Sequence, residues 1–543
     1  MTTKTYDNRA SAYLDALDRR VLVFDGAMGT SIQRYRLTAD DFGGKAYEGC
    51  NDYLVLTRPD VIREIHDSFM AAGCDVLETC TFQSTPRRLE EWGLLDKVRD
   101  INVTAARLAR DVADRYATPD RPRFVAGSIG PTGLLPSSSD PVLSATTFGE
   151  LSDQYYQQAK YLVEGGVDVL LIETAQDILE VKAALAGFEQ LFRELGHRVP
   201  VQAQVTLDTS GRMLLGTDIA SAMTTLESLR VDVLGLNCST GPEHMREPIR
   251  FLAEHATRPV SCIPNAGLPL NTGSGDAVYP LEAEPMAAAL AEFVRDFGVR
   301  IVGGCCGTTP EHLRAVCREI DALGVRNSQA TGLRPPTRRS VPRLSSAMRA
   351  ITMHQDPPPL LVGERVNSQG SRKVKRLLLA DDYDGILDVA REQAESGAHV
   401  LDVCVALTER ADEAEQMAKV VKLLSMSVES PLMIDSTEAS VIDAALEHAP
   451  GRAIINSINM ENGRKRIDAV VPLAKKHGAA LVALTIDEVG MAKTRERKLE
   501  VARKIHDIVV NEYGLAPGDL VFDALTFTLA TGDAEWIDSA RET

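Results

Sequence analysis

Three cysteines, Cys238 and the adjacent pair Cys305 and Cys306, are the residues of this chain whose type and spacing point most directly to chemistry. Each group follows a short apolar run, Val-Asp-Val-Leu-Gly-Leu-Asn before Cys238 and Ile-Val-Gly-Gly before Cys305, so each falls where a buried strand ends and a loop begins. Three thiolates gathered at one end of a sheet form a soft, anionic nest suited to zinc. Three protein ligands leave the fourth tetrahedral position open, the pattern of a catalytic rather than a structural zinc. Sulfur donation lowers the Lewis acidity of the metal, so such a site is poor at making hydroxide. It is better placed to bind a substrate thiol and hold it as thiolate, below the ordinary thiol pKa of about 8.5. The plainer alternative is that some of these cysteines are buried core thiols.

Other strand ends in the first half are polar. Asp25-Gly26-Ala27-Met28 follows one apolar run, Glu173-Thr174 another, and Asn265-Ala266-Gly267 a third. Carboxylates from two loops suit a substrate ammonium, and glycine-rich backbone N–H groups suit a carboxylate. Together they make an amino-acid clamp, although Asp25 taken singly reads equally well as a helix cap. The second half has no cysteine cluster. Its strand ends carry Glu364, Asn367, Asp402, Asp435, Asn456, Asp487 and Asp523. Acids and amides in that arrangement can read the edge of a polar heterocycle, such as the aminopyrimidinone of a pterin, although any one of these acids could be a cap or turn residue.

The elements that must position these groups alternate regularly. Apolar runs at 21–24, 75–79, 124–127, 167–172, 201–206, 231–236, 260–264 and 300–303, most followed by helix-length segments such as 59–72 and 178–195, predict a (β/α)8 barrel. A doubly wound open sheet is the alternative. A barrel would bring the loops after strands six and eight, which carry the cysteines, to one rim. Residues 326–359 are polar, basic and proline-rich, which predicts a linker. A second series at 360–363, 399–404, 432–435, 453–456, 480–485 and 520–523 gives six further strands. The expected organisation is α/β, two TIM-type barrels in tandem: 1–325, a linker at 326–359, and 360–543, with the second barrel ending after about six units.

Composition excludes several functions. At 543 residues, 44% apolar and 25% charged, the chain reads as soluble globular protein with more than one core. A net charge of −18 argues against a nucleic-acid partner. The first residues lack an apolar signal core, and no run approaches the ~18 apolar residues of a membrane span. Nine scattered cysteines do not make a disulfide scaffold, so a reducing, cytoplasmic setting is expected.

Four runs carry a resemblance: Phe24-Asp-Gly-Ala-Met-Gly-Thr, Gly127-Ser-Ile-Gly-Pro-Thr-Gly, Gly235-Leu-Asn-Cys-Ser and Gly303-Gly-Cys-Cys-Gly-Thr-Thr-Pro. With them the first half resembles the homocysteine S-methyltransferase family. The resemblance implies that Cys238, Cys305 and Cys306 bind zinc and that the zinc binds the homocysteine sulfur. It also implies that Asn265 takes the fourth position without substrate, and that Asp25 and Glu173, with the Gly26–Met28 backbone, hold the amino acid. Cys80 departs from the family, which usually has Asn there. The second half, through Gly363-Glu-Arg-Val-Asn, Met433-Ile-Asp-Ser-Thr, Ile455-Asn-Ser-Ile, Asp487-Glu-Val-Gly-Met-Ala and Phe522-Asp-Ala-Leu-Thr-Phe, is similar to the pterin-binding barrel of the cobalamin-dependent methionine synthase family. That implies 5-methyltetrahydrofolate as methyl donor, with Asn367, Asp435, Asn456 and Asp523 at the folate and Asn456 supporting the leaving amine. Cys404 and Ala524 stand where the family commonly has Asn and Pro, and a further family Asn on strand seven would lie past residue 543.

The implied reaction is methyl transfer from 5-methyltetrahydrofolate, by way of cobalamin on a downstream module, to zinc-activated homocysteine, giving methionine and tetrahydrofolate. A reactivation module would follow the cobalamin one. The rival expectations are a cobalamin-independent homocysteine methyltransferase fused to a folate reductase, and a non-catalytic zinc- or pterin-binding protein.

Overall fold

A computed structural model describes residues 3–271, 277–326, 340–526 and 537–543. The chain forms two compact units, Met1–Arg339 and Ser340–Thr543. In the first, eight parallel strands run β1 (Leu22–Val23), β2 (Val76–Glu78), β3 (Phe124–Ile129), β4 (Val169–Ala175), β5 (Val201–Val205), β6 (Val233–Asn237), β7 (Val260–Ile263) and β8 (Ile301–Val302). Their order in the sheet is β1-β8-β7-β6-β5-β4-β3-β2. A parallel bridge between Phe24 and Val76 brings β1 against β2, so the sheet curls into a nearly closed barrel. The open-sheet alternative is thereby set aside.

Strand parity builds two cores. Leu22, Phe24, Val76, Phe124, Ala126, Val169, Leu171, Val233, Ile263 and Ile301 fill the barrel interior. Residues of the other parity, among them Val23, Leu77, Val125, Leu170 and Leu234, pack outward in a second core with helices such as α2 (Pro59–Ala72) and α3 (Ile178–Leu195). The preceding helix, Thr3–Arg19, sends Tyr13 and Leu17 into the interior cluster, where the Tyr13 hydroxyl donates to Gln202 at 3.1 Å. This helix plugs the end of the barrel from which the strands start. At the same end, fully buried Asp75 meets Arg20 at 2.9 Å, Arg123 at 2.7 Å, Arg326 at 2.9 Å and Arg121 at 3.3 Å. Burial would raise this carboxyl, but the four guanidinium groups hold it below the ordinary carboxylate range.

In the second unit a six-stranded parallel sheet takes the order β11-β12-β13-β14-β15-β16. Its strands are β11 (Val362–Asn367), β12 (Val400–Cys404), β13 (Leu432–Asp435), β14 (Ile454–Ile458), β15 (Ala480–Leu484) and β16 (Leu520–Asp523). One part of the expected linker is corrected. Residues 340–359 belong to this unit and contain an antiparallel hairpin, β9 (Arg343–Ser345) with β10 (Ala350–Thr352). Leu344 and Ile351 of the hairpin pack on Val400, Ile454 and Ala480, the inward residues near the start of their strands. Arg452 fastens it, with its N–H donating to Ser345 Oγ at 2.8 Å and its guanidinium to Arg343 O at 3.1 Å. A basic, proline-rich segment hid two short apolar strands because they pack end-on against a sheet instead of alternating along it. The remainder of the expected linker, 327–339, lies outside the described residues. Among the described residues, no helix is long and apolar enough to cross a membrane.

Candidate metal centre and substrate sites

Cys238 sits one residue past β6, and Cys305 and Cys306 lie three and four residues past β8, so the barrel delivers all three to the rim where its strands end. Their sulfur atoms lie within 4.8 Å of one another, with Cys238–Cys306 at 3.9 Å and Cys305–Cys306 at 4.0 Å. Among the described residues no other group of His, Cys, Asp or Glu converges in this way. All nine cysteines are free thiols. The loops are stitched by main-chain bonds: Cys238 N–H to Ile263 O at 3.2 Å, Cys305 N–H to Pro264 O at 2.8 Å, and Ala266 N–H to Cys306 O at 2.9 Å. Cys238 and Ser239 adopt φ of 60° and 63°, a left-handed conformation that costs non-glycine residues energy and concentrates at functional sites. Gly303 is required for close approach, since a Cβ there would lie 2.8 Å from Phe24 Cβ.

Hydrogen bonds from Cys238 and Cys305 hold the Cys306 sulfur well below the thiol range, at about 3, while the contacts of Cys305 with Cys238 and Cys306 push Cys305 well above it. The negative charge of the trio therefore settles on the Cys306 sulfur, and no lysine or arginine pairs with the three among the described residues. Three convergent soft donors of this kind fit a divalent zinc ion. Asn265, on the loop between these cysteines, is 2% exposed and its Oδ1 is buried without a hydrogen-bond partner among the described residues.

Beside the sulfurs lies a layer of buried acids. Inward parity places Glu78, Ser128, Glu173 and Asn237 above the apolar interior. Glu173 accepts from Ser128 Oγ and from Asn237 Nδ2, the latter at 3.0 Å. Burial, followed by the charge of Cys306, pushes Glu173 up to about 7. Asp25 accepts from the Glu78 N–H with both oxygens, at 3.1 and 3.2 Å, and burial raises it well above the carboxylate range. Glu78 is raised in the same way by burial, then by Glu173 and Asp25. No lysine or arginine pairs with these three acids among the described residues. Gly26, Ala27 and Met28 form the turn after Asp25, and Ala27 N–H donates to Thr308 Oγ1 at 3.2 Å, which ties the turn to the cysteine loop. Asn237 also locks Thr174, accepting from its N–H at 2.7 Å and donating to its hydroxyl at 2.9 Å, where Thr174 has φ of 57°.

Sequence reasoning missed Glu78 and Asn237 as site residues. Strand parity from Val76 would have found Glu78, and Asn237 stood within a quoted motif. Cys80, which departs from the family pattern, is 3% exposed and lies beneath its loop, with Sγ 3.7 Å from Asn51 O and 3.9 Å from Asp52 Oδ1.

In the second unit the four folate candidates separate. Asn367, Asp435 and Asn456 converge around a fourth residue, buried Asp402. Asn367 Nδ2 donates to Asp402 at 2.7 Å and to Asp435 at 2.9 Å, while its Oδ1 accepts from Gln369 and Gly370 N–H. Both amide protons of Asn367 are thus spent on carboxylates, and it orients Asp435 instead of offering a free donor. Asn456 Nδ2 approaches Asp402 Oδ1 at 3.5 Å. Burial pushes Asp402 up to about 6. Asp523 is exposed at the end of edge strand β16 and accepts from Leu525 N–H at 2.8 Å. Cys404 is buried, with Ser368 Oγ 3.9 Å from its sulfur.

Comparison with known proteins follows the same division. Residues 22–320 match the homocysteine S-methyltransferase family and residues 363–536 the pterin binding enzyme family. The methionine synthase of Mycobacterium tuberculosis is 43% identical over 526 residues, 96% of this chain and 43% of that protein. That of Mycobacterium leprae is 43% identical over 542 residues, 97% of this chain and 44% of that protein. The chain therefore spans less than half the length of these curated relatives. Among solved structures, the metallated homocysteine methyltransferase MmuM of Escherichia coli is 22% identical, covering 57% of this chain and 99% of its own, with a TM-score of 0.45. With its first unit matched nearly end to end, the chain belongs to the homocysteine S-methyltransferase family, and its second unit carries a pterin-binding domain.

Proposed function

We propose that this chain holds the two substrate units of a cobalamin-dependent methionine synthase. The first binds homocysteine, the second binds 5-methyltetrahydrofolate, and cobalamin from a downstream module is the methyl acceptor at the second and the donor at the first. The observation that carries the reading is the convergence of three thiols on the barrel rim beside a layer of buried acids.

Cys238, Cys305 and Cys306 would hold zinc, with Asn265 in the fourth position before substrate arrives. Bound zinc supplies a Lewis acid that keeps the homocysteine thiol as thiolate at neutral pH. Asp25 and Glu173 take the substrate ammonium, and the Gly26–Met28 backbone takes its carboxylate. Fixing both ends of the amino acid aims its sulfur outward, where a bulky methyl donor can reach it. In the second unit Asp435 and Asp523 accept from the N–H edges of the pterin, and Asn367 keeps Asp435 turned toward it. Asn456 hydrogen-bonds the amine that leaves when the methyl group departs. Free thiols at the rim suit a reducing, cytoplasmic setting.

The test is Cys306→Ser. Zinc content and methyl transfer from free methylcobalamin to homocysteine should fall together, each by at least about tenfold. Full transfer by a metal-free variant would defeat the proposal.

A further inference from the structure

Arg466 bridges the two strand ends that carry Asp435 and Asn456, and no part of the reading above uses it. Asp435 and Asn456 are the last paired residues of the β13–β14 ladder, so their strands lie side by side there, about 4.8 Å apart. Past that pair the regular pairing lapses. β13 ends, with Ser436 and Thr437 leading into a loop, and Ser457 falls in a register shift between Asn456 and Ile458, where β14 meets β15. Irregularities of this kind re-aim side chains and leave backbone groups off the ladder, where they need other partners. Arg466 supplies them with all three of its guanidinium nitrogens. Nη2 donates to Ser436 O at 2.7 Å, Nη1 to Thr437 O, and Nε to Ser457 O at 3.0 Å. One side chain thus clasps the main chain just after Asp435 and just after Asn456. It is half-buried and stands in the first turn of the helix Lys465–His477, where the helix dipole disfavours a cation, and the three carbonyl oxygens offset that cost. The Ser436 side chain is engaged elsewhere: its Oγ donates to Glu413 Oε1 at 2.8 Å, which anchors the same loop to the helix Glu413–Ser427.

We propose that Arg466 is a positioning residue of the folate site: by tying the carbonyls after Asp435 to the one after Asn456, it holds those two side chains at the separation at which a single pterin meets both. The inference rests on the folate reading of the second unit. Binding can survive on one of the two contacts, whereas transfer needs both, Asp435 to seat the pterin edge and Asn456 to bond the amine that leaves. A misplacement of about 1 Å can cost about 100-fold in rate. Arg466→Met keeps much of the stem and removes all three donors. Arg466→Lys keeps the charge but has a single ammonium to serve two loops.

The experiment uses the full-length protein, with 5-methyltetrahydrofolate affinity read by titration and methyl transfer followed to free cob(I)alamin. Arg466→Met should lose about 10–100-fold in kcat, with Kd raised by less than about tenfold. Arg466→Lys should fall between that variant and wild type, and it carries the same test should Arg466→Met fail to fold. Added to Asn456→Ala, either change should cost no more than about twofold beyond the loss from Asn456→Ala alone, because both act on one group. A purely structural role would instead multiply the two losses. Arg466 variants with kcat within about twofold of wild type, or a loss that multiplies fully with that of Asn456→Ala, overturn the inference alone. A wild-type protein that neither binds 5-methyltetrahydrofolate nor passes its methyl group to cob(I)alamin overturns the folate reading and this inference with it.

Discussion

Asn237→Ala tests how the barrel supports its site. Asn237 is 1% exposed and makes three hydrogen bonds: from Thr174 N–H at 2.7 Å, to Thr174 Oγ1 at 2.9 Å and to Glu173 Oε2 at 3.0 Å. Alanine leaves the Thr174 N–H without its acceptor, at a residue already held at φ of 57°. An orphaned buried donor costs about 1–3 kcal/mol, and a lost bond to a carboxylate about 1.5–3 kcal/mol, so the whole change should cost about 3–5 kcal/mol. For a unit of this size that corresponds to a drop in thermal midpoint of roughly 5–10 °C, measured by calorimetry. Glu173, no longer braced from the β6 side, should also release the substrate ammonium, raising the homocysteine Kd by at least about tenfold in a titration of the zinc-loaded chain. A midpoint within about 1 °C of wild type together with unchanged homocysteine affinity would refute the argument that β6 holds Glu173 in place.

Three further outcomes are expected. Asp75→Asn removes the anion that Arg20, Arg123 and Arg326 share in the interior, and should destabilise the first unit by about 3–5 kcal/mol in urea unfolding. Because the folded pKa of Asp75 is depressed, its contribution is present above about pH 4 and is lost as the pH falls below that, so the deficit of the variant should shrink in acid. Asp402 behaves oppositely. Its folded pKa near 6 lies above the ordinary value of about 4, so stability is greatest below about pH 4 and falls as the pH rises toward 6; Asp402→Asn should abolish that slope in urea titrations across this window. Asn367→Ala should weaken 5-methyltetrahydrofolate binding by about tenfold in the full-length protein, by freeing the Asp435 carboxylate to rotate.

The alternation of short apolar runs with amphipathic stretches was enough to place all fourteen barrel-type strands, because a parallel strand covered on both faces is apolar throughout. The sulfur trio was legible for a different reason. Chemistry of that kind needs residue types that are rare at strand ends, and the barrel brings strand ends together wherever they lie in the chain. What stayed hidden is what only three dimensions decide. Asn367 looked like a ligand contact because an amide at a strand end can be one, yet its hydrogen bonds are all spent within the protein. Arg343–Thr352 read as linker because its composition is that of one, while its two inward residues gain their meaning from Val400, Ile454 and Ala480, on strands far along the sequence.

The first barrel separates charge along its axis. At the end where the strands start, one carboxylate faces four guanidinium groups. At the end where they finish, three sulfurs, the buried acids Asp25 and Glu173 and half-buried Glu78 face no lysine or arginine among the described residues. The first arrangement is self-neutralised and serves stability; the second is left short of positive charge, and burial keeps water from making up the difference. Such a rim is relieved by protonation or by cations brought to it, and its two compartments ask for different ones: the sulfurs for a soft divalent ion, the acids for an ammonium. A ligand carrying a thiol and an ammonium a few bonds apart answers both at once, whereas a simple alkyl thiol answers only the first. Homocysteine should therefore bind zinc-loaded protein much more tightly than 4-mercaptobutyrate, its analogue without the amine. Equal affinity for the two in competition titrations would mean that Asp25, Glu78 and Glu173 are spectators and that the sulfur trio alone selects the substrate.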